Sequence, residues 1–309
     1  MKFTLVPMFG RKTSYLWLPL LVLAAQFSVR AWAQSGGPAG TYPQAYVVTF
    51  KSEFGSVDLA TGAFHKIGPD TPGIMADLVW SNGTLYSLVT SGDYAGSLAK
   101  IDPASGQVTI VGPTGLGYNA FSLGGVNGKL YLTDFNIGGG FQNLYSVDPG
   151  NGAATLIGPT HVPADSVAPF TPNGNGWINL CDETMYGLNG KLYVTYDSIA
   201  MDPTPSSPTY LNTSINIAPA LYEIDPTTAA TTDLGETSLF LDALAGAGGN
   251  LYALEVLAVN WNKFGPHSRT QLLTIDLTTG QTKPVQRGEA PLFVDSATQG
   301  IFGAAPVLP

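Results

Sequence analysis

The sequence predicts an all-β protein, a closed ring of small four-stranded antiparallel sheets, and three observations carry that prediction. Charged residues make up only 11% of the chain while it holds 37 Gly and 23 Pro, a profile of many short strands and tight turns rather than helices. No window keeps apolar residues at i, i+3, i+4 and i+7 over three turns, so almost no helix is expected. A phrase then returns five times: "GSVDLATGAFHKIGPD" (55–70), "SLAKIDPASGQVTIVGPT" (97–114), "NLYSVDPGNGAATLIGPT" (143–160), "ALYEIDPTTAATTDLGET" (220–237) and "QLLTIDLTTGQTKPVQRG" (271–288).

The repeat unit is assembled from its parts in residues 119–158. "NAFSLGGV" is a first strand, "NGK" a turn, "LYLTDF" a second strand, "NLYSVD" a third, "PGNG" a turn and "AATLIG" a fourth. Asn-Gly between apolar runs is the strongest short hairpin signal, because both turn residues need positive φ. It occurs at Asn82-Gly83, Asn127-Gly128 and Asn189-Gly190, with Gly248-Gly249 in the remaining copy. Each is followed one residue later by Leu-Tyr, at Leu85-Tyr86, Leu130-Tyr131, Leu192-Tyr193 and Leu251-Tyr252. Asp58, Asp102, Asp148, Asp225 and Asp276 then enter turns, where the carboxylate accepts turn N–H groups and Gly takes the left-handed position. Five aspartates at equivalent turns read as five copies of one hairpin rather than five catalytic groups.

A unit of this size cannot close its own core, and radial repetition solves the problem. The first copy begins at "AYVVTF" (45–50) without an inner strand before it, and the tail "LFVDSATQGIFGAA" (292–305) reads as an inner-strand segment. The expectation is a single domain over 34–309, a five-bladed β-propeller of four-stranded antiparallel blades closed by a C-terminal inner strand that joins the N-terminal blade. Six blades is the alternative count. The LY…IDPxTGxxTxIG pattern resembles bacterial secreted propellers of the quinoprotein-like, NHL and YVTN-type superfamily, over most of residues 44–305. That resemblance implies a fold, and it leaves function open among enzymes, binders and scaffolds.

The first 33 residues read as a signal peptide. Lys2, Arg11 and Lys12 precede an apolar run from Tyr15 to Phe27, and Ala31-Trp32-Ala33 gives the small residues a peptidase cuts after. The expected location is secreted or periplasmic, with no membrane span in the remainder. Removing that segment leaves 9 Lys and Arg against 22 Asp and Glu, a formal charge of −13. Such a surface repels phosphate backbones, which argues against a nucleic-acid partner, and it disfavours acidic polysaccharides unless a cation bridges them. Neutral glycans, other small molecules and protein partners stay open, and a monomer is expected. Cys181, the single cysteine, excludes an intramolecular disulfide and reads as a small buried side chain.

Candidate site residues fall into three groups. Long connections at 159–180, 197–219 and 258–270 lie on one face of such a ring and carry Trp177, Tyr210, Trp261, His161, His267 and Arg269. Aromatic faces beside polar groups suit sugar rings, and long loops in a compact domain are often functional. Asp77, Asp182, Asp242 and Asp295 sit at or before inner strands, where convergent carboxylates would take Ca2+ at the channel mouth or instead fix blade-to-blade register. Asp134, Asp197 and Glu255, at the ends of second strands, are the candidates for acid–base work in a glycoside hydrolase or lyase. Asp182 and Glu183 cannot form such a pair on one strand, since successive side chains point opposite ways. No His-x-x-x-His, Cys-x-x-Cys, Gly-x-Ser-x-Gly or phosphate-binding glycine loop is present. The leading expectation is a non-catalytic binding or interaction module for a neutral carbohydrate or similar small ligand. A glycosidase or lyase is the alternative, and a structural envelope protein the third.

Overall fold

The computed structural model describes residues 44–49, 51–58, 63–135, 140–164, 178–202, 213–238, 241–247, 249–257, 269–287, 290–291, 293–294 and 301–306. The expected signal peptide lies outside them. Blade 1 contains β1 (Gln44–Thr49), β2 (Glu53–Asp58) and β3 (Phe64–Asp70), and blade 2 contains β4 (Met75–Ser81), β5 (Thr84–Val89), β6 (Ser97–Ile101) and β7 (Val108–Pro113). Blade 3 follows as β8 (Ala120–Val126), β9 (Lys129–Asp134), β10 (Phe141–Val147) and β11 (Ala154–Pro163). Blade 4 has the longer strands β12 (Ile178–Leu188), β13 (Lys191–Met201) and β14 (Thr213–Ile224), then β15 (Thr231–Glu236). Blade 5 is β16 (Leu241–Ala247), β17 (Asn250–Leu257), β18 (Arg269–Ile275) and β19 (Thr282–Pro284). Short pieces β20 (Gln286–Arg287), β21 (Ala290–Pro291) and β22 (Phe293–Val294) precede the last strand, β23 (Ile301–Pro306).

All pairings are antiparallel, and the sheet order β23-β1-β2-β3 makes the C-terminal strand the inner strand of blade 1. Inner strands touch in sequence around a closed circle, β23 against β4, β4 against β8, β8 against β12, β12 against β16 and β16 against β23. The molecule is therefore a five-bladed β-propeller, as the repeats predict. The tail differs in one detail from its expected alignment. Phe293–Val294 pairs with β18 of blade 5, and only Ile301–Pro306 completes blade 1. The long connections are also shorter than expected, because β11 runs to Pro163, β13 to Met201, and β14 already begins at Thr213.

Period-two alternation builds the core as five seams between blades rather than one central mass. In each Leu-Tyr pair the Leu faces the preceding blade and the Tyr the following one. Leu85 packs with Val48 and Phe54 of blade 1, whereas Tyr86 packs with Leu123, Leu130 and Leu132 of blade 3. Tyr131 meets Leu192, Tyr193 meets Leu251, and Tyr252 meets Ala45 and Val47 across the closing seam. These four leucines and four tyrosines are all buried. Each blade thus supplies half of two seams, which is why one blade alone has no core.

The recurring phrase has two physical causes. The Asp is a turn device: Ala104, Gly150, Thr227 and Thr278 donate their backbone N–H to Asp102, Asp148, Asp225 and Asp276 at 2.8–3.1 Å. The Gly residues serve close approach. Gly112 of β7 lies so near the next blade's turn that a Cβ there would sit 2.1 Å from Asn151 O, and one on Gly152 would sit 2.3 Å from Gly112 O. The same pairing joins Gly68 to Gly106 and Gly235 to Gly280. "IGPT" and "ID…G" are therefore the two halves of an inter-blade backbone contact. Replacing Asp148 with Ala removes the bond from Gly150 and is expected to cost about 1 kcal/mol, read as a lower urea midpoint at unchanged slope.

Candidate functional site

The two ends of the ring differ. One carries the Asn-Gly turns and the Asp turns, the latter closed by backbone hydrogen bonds at Asp58, Asp102, Asp148, Asp225 and Asp276. The other receives the connections between second and third strands and those from blade to blade. Among the described residues, the large exposed aromatic side chains all lie at this second, loop-rich end: Tyr94 at 48%, Tyr118 at 74% and Phe141 at 45% exposure. Phe141, at the start of β10, meets the exposed His161 of β11 edge-on at 5.5 Å, and the His161 N–H donates to Thr231 Oγ1 of blade 4. His161, expected on the long connection 159–180, lies within β11 near its end. Trp177, Tyr210, Trp261 and His267 lie outside the described residues, and Arg269 opens β18.

Beneath this face the inner strands carry a polar hub. Asp77 lies within β4, 2% exposed, at a bulge between Ala76 and Val79 where its φ is 51°. Its Oδ2 accepts from Ser122 Oγ at 2.9 Å and from Leu123 N–H at 2.8 Å, both on β8. Its Oδ1 accepts from Thr184 Oγ1 of β12 at 2.6 Å, and the Met185 N–H also donates to the carboxylate. Thr184 Oγ1 in turn accepts from Leu244 N–H of β16 at 3.2 Å. One carboxyl group therefore ties blade 2 to blades 3 and 4, and a relayed bond reaches blade 5. Asp77, Ser122 and Thr184 stand at the same place in their repeats, each eight residues before the Leu of Leu-Tyr.

Glu183 is the second buried acid. Thr133 of β9 donates to its Oε1 and Gln142 Nε2 of β10 to its Oε2, the latter at 2.6 Å. Burial pushes Asp77 up to about 7 and Glu183 up to about 8, outweighing the donors that favour the charged forms. Glu183 is raised further by Asp77 and Asp134 nearby.

The expected carboxylates are distributed as follows. Asp77 and Asp242 are buried on inner strands, Asp182 is on β12 and Asp295 is outside the described residues. They do not share one repeat position. Asp77 precedes its Leu-Tyr by eight residues, Asp242 by nine and Asp182 by ten. Among the described residues no three His, Cys, Asp or Glu side chains gather as a metal site. Asp77 makes the inter-blade bonds that a register role requires.

Asp134 ends β9, buried, and accepts from Asn143 N–H at 2.7 Å, from Asn143 Nδ2 and from Tyr145 OH at 2.7 Å. Burial, and then the hydrogen bond to Asp134 and its charge, push the Tyr145 hydroxyl up to about 12. Asp197 is buried on β13, directly opposite Asp182 in register. Glu255 is half-buried on β17, and burial alone pushes it up to about 7. Asp134 and Glu255 occupy equivalent places, four residues after the Leu of Leu-Tyr, whereas Asp197 is one residue further on and so faces the other way.

Sequence reasoning passed over Ser122, Thr184, Gln142 and Thr133, and met Glu183 only as the neighbour of Asp182. The shared eight-residue offset of Asp77, Ser122 and Thr184 was the available signal. Tyr94 and Tyr118 were missed because they sit on short connections rather than long ones.

The fold defines the class of protein, a five-bladed β-propeller with one loop-rich, aromatic face. Compared with protein-family models and with curated proteins, the chain matches none. Among the described residues no helix is long and apolar enough to cross a membrane.

Proposed function

We propose that this chain is a secreted or periplasmic propeller of the bacterial quinoprotein-like, NHL and YVTN type, acting as a non-catalytic binding module for a neutral carbohydrate. The observation that carries the reading is the asymmetry of the two faces. Exposed aromatic rings stand at the end where strands lead into the long connections, while two-residue Asn-Gly turns and the Asp turns close the other. The formal charge, −9 for the whole chain and −13 without residues 1–33, narrows the ligand class, since an acidic surface repels polyanions and leaves neutral, hydroxyl-rich molecules free to approach. Stacked aromatic rings meet the apolar C–H faces of sugars, and polar rims meet the hydroxyls. A thermal-shift screen against neutral oligosaccharides, with Ca2+ and chelator as separate arms, tests it. A rise in melting temperature with a sugar supports the reading, and no shift with any sugar refutes it.

Glu255 favours a second reading, a glycoside hydrolase. A half-buried carboxyl whose proton is held to about 7 is the form a general acid takes near neutrality. Under this reading Glu255→Gln abolishes turnover of a sugar that the protein still binds, measured as reducing-end release. Under the first reading the wild type releases none.

A further inference from the structure

We propose that Tyr94 and Tyr118 form a preorganised stacking platform at the seam of blades 2 and 3, with Phe141 continuing it, on which a neutral oligosaccharide chain lies. This inference rests on the carbohydrate reading above and names the place where the sugar sits.

The two tyrosines belong to different connections that fold as one piece. Tyr94 closes a single 3-10 turn, Gly92–Tyr94, between β5 and β6. Tyr118 occupies another, Gly117–Asn119, on the way from blade 2 to blade 3. The connections touch at their glycines: a Cβ on Gly96 would lie 2.2 Å from Gly117 O. Tyr94 is two residues from one contact point and Tyr118 adjacent to the other, so their Cα atoms are no more than about 15 Å apart.

Both connections are tied down. Ile74 N–H donates to Ser91 Oγ at 2.8 Å, Gly96 N–H to Val89 O at 2.7 Å, and Thr114 bonds Gly96 O through its hydroxyl at 2.7 Å and its N–H at 2.9 Å. Leu116 N–H bonds Thr114 Oγ1, Asn119 N–H bonds Leu116 O, and Phe135 N–H bonds Asn119 O. The backbone below the rings is therefore fixed before any ligand arrives, which removes most of the ordering cost of binding.

A ring left in water on a rigid support forgoes the stabilisation that apolar burial gives. Tyr118 at 74% exposure is the largest such case among the described residues. Asp93 and Asn119, both exposed, adjoin the two rings and offer acceptors and a donor to hydroxyl groups. Neither connection carries a cation for an anionic ligand. Phe141 with His161 stands one blade further along the same face. Rings on successive connections form an arc, which suits an extended chain of sugars rather than a single ring.

Calorimetry with cellohexaose, xylohexaose, mannohexaose and chitohexaose, each against the wild type, Tyr118→Ala, Tyr94→Ala, the double variant and Tyr118→Phe, tests the platform. For the hexasaccharide that the wild type binds, Tyr118→Ala is expected to weaken affinity about tenfold and the double variant to abolish measurable binding. Tyr118→Phe, which keeps the ring, retains wild-type affinity within about twofold. Melting temperatures of all variants stay at the wild-type value, since both side chains are exposed. Unchanged affinity in the double variant overturns the platform while leaving the carbohydrate reading intact. If the wild type binds none of the four, the carbohydrate reading fails and the platform falls with it.

Discussion

Gly187→Ala is expected to prevent closure of the ring. Gly187 lies on β12, where the inner strand of blade 4 crosses that of blade 3 backbone to backbone. A Cβ at this position would stand 1.8 Å from Gly125 O and 2.6 Å from Gly125 C. Neither atom belongs to a flexible side chain, so relief requires shifting β8 or β12. β8 is already crowded on its other side, since a Cβ on Gly125 would meet Val79 Cγ1 of blade 2 at 2.3 Å. In a closed ring a displacement at one seam is passed to the next. Overpacking in a core costs about 1–3 kcal/mol when side chains can give way. Here only backbone can move, and the expected loss is about 4 kcal/mol or more, a large part of the stability of an ordinary domain. Urea denaturation followed by far-UV circular dichroism reads the loss directly. Gly83→Ala is the control, because nothing lies within 4 Å of a Cβ there and only the positive φ is strained.

The second large effect belongs to Asp77. Asp77→Ala leaves the donors of Ser122, Leu123, Thr184 and Met185 facing an empty pocket between blades and puts Ala at a φ of 51°. Orphaned buried donors cost about 1–3 kcal/mol each when nothing replaces their partner, so a loss of about 3 kcal/mol or more is expected. Asp77→Asn keeps the shape and suits positive φ, but accepts at one atom only, so it is expected to cost less than Asp77→Ala and to change the pH profile as well.

The sign of that profile follows from the raised folded values. Asp77 titrates near 7 in the fold against an ordinary 3.8, Glu183 near 8 against 4.5, and Glu255 near 7 against 4.5. Between about pH 4 and pH 8 the folded protein holds protons that the unfolded chain has released, so stability falls as pH rises through this window and levels off above it. For Asp77 the loss is on the order of 4 kcal/mol. Exposed Asp102, Asp225 and Asp276 are lowered by their turn hydrogen bonds and act in the opposite sense, losing their contribution only in stronger acid. The expected melting temperature is therefore highest near pH 4–5 and declines toward pH 8. Asp77→Asn and Glu183→Gln should each flatten the decline, and a wild-type profile that rises from pH 5 to pH 8 would contradict the account.

The parts of this molecule that were legible in the sequence are those whose causes are local. Asp148 and Gly152 specify their turn within five residues, and Asn127-Gly128 specifies its hairpin alone. Repetition then multiplied those signals into a blade count. The inter-blade use of Gly112 is not local, because its partner at Asn151 lies across a seam. The hub was hidden for a related reason. Bulges at Ala76/Val79, Ala120/Leu123 and Leu241/Ala243 shift the inner strands of blades 2, 3 and 5, while β12 pairs with β13 without one. Aspartates that seem aligned when counted from strand starts are therefore out of step. Glu183 looked like a spare neighbour of Asp182, yet its partners Thr133 and Gln142 come from blade 3, about 40–50 positions back.

The pairing of β23 with β1 makes the order of synthesis matter. The residues that complete the first blade are among the last of the described chain to be made, and until they arrive two seams lack one of their inner strands. A nascent or truncated chain without Ile301–Pro306 keeps one edge of β1 open and its ring unsealed, a state that aggregates and is readily cleaved. Closure is in this way written into stability, since β1 gains the partner for its open edge only once β23 has been made.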